Sequence, residues 1–131
     1  MADPSDAEGD YRQMVMKILK MHLHAIETLA ANPKLPYVDN MVRHASAMHS
    51  TSQLLDHVYP EDAKVKQQAT GRPWTDRASF DKLVVNSQKS SAALVAAANE
   101  WQRGNKEALV PAIKGLREKC RECHDIFREA P

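Results

Sequence analysis

The sequence predicts an all-α fold, an antiparallel four-helix bundle forming one domain over residues 1–131. Three observations predict it. Ala, Leu, Met, Lys, Glu and Gln are plentiful and there are only four glycines, a composition that favours helix over strand. No stretch shows the period-two alternation of a half-buried strand. Breakers at Asn32-Pro33, Tyr59-Pro60, Gly71 to Pro73 and Gly104 leave four long helical segments between them.

The segments follow in order. Residues 1–6 read as a disordered N-terminal tail. The first helix is expected from about Ala7 to Ala31. The second starts near Pro36, since proline suits a first helical turn, and runs to about Val58. A loop with Gly71 and Pro73 follows. The third helix starts near Thr75 or Asp76, both good N-caps, and runs to about Gln102, with Gly104 as its stop. The fourth begins near Asn105 and runs to about Glu129. Pro111 lies inside it, where it removes a backbone donor and disfavours helix at Val110, so a kink or a late start is expected. The first two and the last two helices have short joints, which makes each pair antiparallel. The long middle loop joins the pairs.

Composition excludes several classes of function. The formal net charge is +1, and no basic run marks a nucleic-acid or membrane-binding face. Aromatics are 5% of residues, too few for a base-stacking platform. No apolar stretch approaches the roughly 20 residues that span a bilayer. The N-terminal residues are acidic and polar and show no signal-peptide core, which fits a cytosolic protein or a mature domain with an added methionine. Two cysteines three residues apart do not make a disulfide scaffold.

Those two cysteines carry the chemistry. The fourth helix contains Cys120-Arg121-Glu122-Cys123-His124, a C-x-x-C-H motif and the attachment signature of c-type haem. At about 100° per residue, positions 120, 123 and 124 share one helical face. Two thiols there can bond to the two vinyl groups of a haem, and the adjoining histidine can rise under the iron. Ile113, Leu116, Cys120, Cys123 and Phe127 continue that face at 3-4-3-4 spacing, which places the haem within the bundle. A thioredoxin-like dithiol needs a strand-helix context absent here. A zinc site needs four ligands, and the one close second pair, His22 and His24, points to different faces.

With these residues the chain resembles the class II cytochromes c, the cytochrome c′ family. The resemblance covers nearly the whole length. It includes Tyr11-Arg12-Gln13 opening the first helix, Trp74…Phe80 entering the third, and the closing Cys120-x-x-Cys123-His124-x-x-Phe127-Arg128. It implies one haem c, covalent through Cys120 and Cys123, with His124 bound to iron. Arg12 is then expected near a haem propionate and Arg128 near the proximal haem face, though either arginine also reads as a surface charge; Phe127, on the apolar face of the fourth helix, is expected to contact the haem. Counting from the Arg-Gln pair, the resemblance places Met16 on the distal side. Family members with an apolar residue there are five-coordinate and bind nitric oxide or carbon monoxide. Members with methionine resemble low-spin Met/His electron carriers. The expectation is therefore a c-type cytochrome that transfers electrons to redox partner proteins with His124/Met16 ligation and turns over no substrate. The alternative is binding of nitric oxide or carbon monoxide.

Met16 also reads as plain core filler, since the first helix holds many apolar residues. If Met16 faces the haem, Met14 and Met21 cannot, being about 200° and 140° away around the helix. His22 lies about 9 Å further along the axis and reads as a hydrogen-bonded core or interface residue. His24 reads as solvated. His44, His49 and His57 read as surface or interface residues. The wide apolar arc of the first helix, with Val38, Met41, Ala45, Met48 and Leu55 on the second, adds the expectation of a homodimer through those helices. The resemblance implies a bacterial periplasmic location, because covalent haem attachment takes place outside the cytoplasm.

Overall fold

The computed structural model describes residues 4–58 and 76–127, with side chains for 7–58 and 76–125. The loop with Gly71 and Pro73, and also Trp74, Thr75 and Arg128, lie outside the described residues.

Helix α1 spans Pro4–Ala31, starting before the expected Ala7, so residues 4–6 are helical rather than part of a tail. Proline at the first helical position is preset for the turn. Helix α2 spans Asn40–Ser52 and closes in a 3-10 turn, Gln53–Asp56. It starts four residues after the expected Pro36. Pro33 and Pro36 push the residues before them towards extended conformations. The chain therefore enters through short turns: Asn40 N–H donates to Tyr37 C=O at 2.9 Å and Met41 N–H to Val38 C=O at 3.1 Å. Val38 thus belongs to the turn and not to the helix.

Helix α3 spans Arg77–Gln102 with Asp76 at its N-cap, close to expectation. Gly104 stops it at φ +103°, a left-handed conformation that glycine adopts without a Cβ penalty. Gly104 N–H reaches Trp101 C=O and Asn105 N–H reaches Glu100 C=O, closing the helix end. Helix α4 spans Leu109–Phe127, a late start rather than a kink. Pro111 is its third residue, where a helix has no intrahelical partner for an N–H, so the missing donor costs nothing.

The four helices form an antiparallel bundle in which each packs along its neighbour in sequence; α1 and α4 touch only sparsely. The apolar interior is divided. The larger cluster holds Leu23, Ile26, Met41, Ala45, Leu94, Trp101, Leu109 and Ile113, all buried, at the end that carries the short joints. A smaller one, Phe80 and Val84 with Leu55, Leu83 and Cys123, sits at the opposite end. The gap left between α1 and α4 at that opposite end positions the functional site. No described helix is long and apolar enough to cross a membrane.

Candidate haem site

The C-terminal part of α4 meets the middle of α1, from Arg12 to His24, across a cavity of about 890 Å³. Interiors normally pack without such voids, and the size falls within the roughly 300–1,000 Å³ of ligand and cofactor pockets. Cys120, Cys123 and His124 form the α4 wall, as one helical face requires. Met16, Leu19 and Leu23 form the α1 wall opposite, and Met48, Phe80 and Val84 the floor. Exposed Lys17, Lys20, Lys114, Arg117 and Arg121 surround the opening, with Glu118 and Asp125 among them. Arg117 donates two hydrogen bonds to the Glu27 carboxylate, at 2.6 and 2.5 Å, and ties α4 to α1 beside the opening.

The donor set suits a haem. A large, mainly apolar slot accepts a flat macrocycle, two thiols share one wall, and an imidazole adjoins them. Among the described residues no group of three or more His, Cys, Asp or Glu could hold a metal ion directly, which leaves the zinc reading without ligands.

Burial pushes both thiols up from their ordinary value of 9.0: Cys120 rises, and Cys123 rises to about 11, helped by the neighbouring Cys120. Before haem attachment the folded chain therefore keeps Cys123 protonated where an unfolded chain would ionise it. The resulting stability is full below pH 9 and is lost as pH rises through 11. Denaturant midpoints of the haem-free chain are expected to fall between pH 9 and 11, and a Cys120→Ala/Cys123→Ala chain should lose that part of the dependence.

Met16 is half-buried on the cavity wall and joins neither core cluster, while Met14 and Met21 are 60% and 63% exposed on other faces. Arg12 is not a surface charge. It is buried at the cavity edge, and its Nη1 donates to Val58 C=O at 3.3 Å. Phe127 is the last residue of α4, but its side chain, like all of Arg128, lies outside the described residues. His24 is exposed at the cavity rim. His49 is half-buried between helices: its Nδ1 lies 2.7 Å from buried Ser91 Oγ, joining α2 to α3. Sequence reasoning missed the floor. Met48 reads from the sequence as part of an outer apolar face, and Val84 carries no signal beyond its four-residue step from Phe80.

The comparisons with known proteins agree with this geometry. The family model described as Cytochrome C′ matches residues 8–128. Cytochrome c′ of Rhodospirillum rubrum is 29% identical over 130 residues, 97% of this chain and 84% of that protein. Cytochrome c′ of Pararhodospirillum photometricum is 26% identical over 126 residues, 95% of this chain and 98% of that one. Among solved structures, a ferrous variant of cytochrome c prime from Alcaligenes xylosoxidans with bound NO superposes with a TM-score of 0.84 at 20% identity, covering all of both chains. Cytochrome c prime from Shewanella frigidimarina gives 0.80 at 19% identity, over 99% of this chain and all of that one. A haem-sized slot walled by a C-x-x-C-H helix and a family match over nearly the full length lead to one assignment: the chain belongs to the cytochrome c′ family and carries one haem c, covalent through Cys120 and Cys123.

Proposed function

We propose that this protein binds nitric oxide or carbon monoxide at its haem, with His124 as the proximal ligand and Met16 standing over the other side. The observation that carries this reading is the character of the α1 wall. With Lys17, Lys20 and His24 exposed at the rim, α1 turns Met16, Leu19 and Leu23 into the cavity, and of these three only Met16 carries a donor atom, a neutral thioether. When bound, the haem supplies an iron that takes diatomic gases and exchanges one electron. His124, on the α4 wall beside Cys123, would hold the iron. Leu19, Leu23, Phe80 and Val84 keep water from the ring faces. Arg12, buried at the cavity edge, pairs with a propionate. Met16 would offer the iron a soft thioether, with which a gas would have to compete. The bound NO named for the Alcaligenes relative supports this order of preference.

The second reading is electron transfer with Met16 as a permanent sixth ligand. It is favoured by Met16 lining the cavity outside both core clusters. Visible spectra of the reduced protein with and without carbon monoxide separate the two. Bands that shift with the gas are expected. Sharp low-spin bands indifferent to saturating carbon monoxide would refute gas binding and leave the electron carrier. Met16→Leu should raise carbon monoxide affinity by tenfold or more, since the competing thioether is removed. Unchanged affinity would mean Met16 never contacts the iron.

Neither reading involves turnover of a substrate. A peroxidase needs acid-base groups beside the iron, and the α1 histidine at this cavity, His24, is exposed at its rim. The periplasm is the proposed location, where haem attachment takes place. We also propose a homodimer through α1 and the segment leading into α2. Tyr11, Met14, Ile18 and Met21 form an exposed apolar stripe at 3-4-3 spacing on α1, and Leu35, Tyr37 and Val38 are exposed nearby in sequence to α2. Sedimentation at micromolar concentration should give twice the chain mass. A single 14.7 kDa species, apart from the haem, would overturn it.

A further inference from the structure

His22 on α1 and His44 on α2 face each other with their Nδ1 atoms 3.1 Å apart. Their rings are tilted by 52°, with centroids 5.4 Å apart, and both residues are half-buried. Nothing in the haem site uses them. On α1, His22 is about 120° around the helix from Met16, and neither histidine lines the cavity.

Two imidazole nitrogens at this separation can share a proton or a cation. Transition-metal bonds to imidazole are about 2.0–2.1 Å long. Two such bonds meeting at roughly 100–110° place their nitrogens about 3.1–3.4 Å apart. The observed separation falls within that span. Both histidines sit on long helices packed along each other, so the pair is held in place before any ion arrives. Burial, and then the neighbouring His44, pushes His22 below its ordinary value, which leaves its lone pair available near neutral pH.

We propose that His22 and His44 chelate one divalent transition-metal ion, such as Zn²⁺ or Ni²⁺, on the side of α1 away from the haem. Imidazole donors select these borderline ions over Mg²⁺ and Ca²⁺, which prefer oxygen. The partial exposure of both rings leaves room for water in the remaining coordination positions.

The test is calorimetric titration of the haem-loaded protein with ZnCl₂, NiCl₂ and MgCl₂, with the visible spectrum recorded alongside. Saturable uptake of one zinc or nickel ion per chain is expected, with no uptake of magnesium and no change in the haem bands. His22→Ala and His44→Ala should each weaken uptake at least tenfold, and exposed His57→Ala should leave it unchanged. His22→Gln and His44→Gln, closer in shape, repeat the test should either alanine variant melt early by circular dichroism. No saturable uptake, uptake indifferent to both substitutions, or uptake that alters the haem bands would each overturn the proposal. Because the haem spectrum is read separately, failure here is distinguishable from failure of the gas-binding reading.

Discussion

Replacing Cys120 and Cys123 together with alanine should abolish covalent haem completely. After expression with haem-attachment machinery, the denatured double variant is expected at the unmodified polypeptide mass, with no haem stain on a denaturing gel. Each single variant should keep one thioether and show reduced, heat-labile haem. The reason is local. Both sulfurs sit on one face of α4 against the cavity, and no other cysteine exists in the chain to replace them. A second effect follows for the fold. The cavity of about 890 Å³ divides the interior, and its walls pack properly only around a large apolar group. The double variant should therefore also unfold at lower denaturant concentration than the wild-type protein. Haem still covalently bound in it would refute the assigned attachment.

The largest effect expected away from the haem is that of Leu94→Ala. Leu94 is fully buried in the C-terminal half of α3, in the cluster that draws residues from all four helices. Truncation removes three carbons from a packed site and leaves a cavity, which costs about 2–5 kcal/mol. For a domain of this size that lowers the melting temperature by roughly 10 °C or more. The haem spectrum of the folded variant should be unchanged, since Leu94 does not line the haem cavity. A loss below about 1 kcal/mol in denaturant unfolding would mean this cluster does not carry the bundle's stability.

How much was legible beforehand follows from the range of each interaction. The C-x-x-C-H motif states its own geometry, because three positions on one helix keep their relative angles wherever that helix packs. The same arithmetic separates Met16 from Met14 and Met21, and the latter two are exposed in the structure. Helix ends were less legible where competing turns existed. The paired prolines before α2 admit a helix start or a run of short turns, and the chain takes the turns. Pro111 admitted a kink or a late start, and the free N–H positions of a first turn decided for the latter.

What the sequence by itself determined is the set of helices, the antiparallel order of the bundle and the face of α4 that presents two thiols and an imidazole. These depend on composition, breakers and the fixed rotation per residue within a helix. Only the tertiary structure decided that Met48, Phe80 and Val84 floor the haem cavity, that Arg12 turns inward to Val58, that His49 meets Ser91, and that His22 meets His44. Each of these depends on the rotation and axial register of one helix against another. Those are fixed by close packing summed over whole interfaces, and no local pattern of residues encodes them.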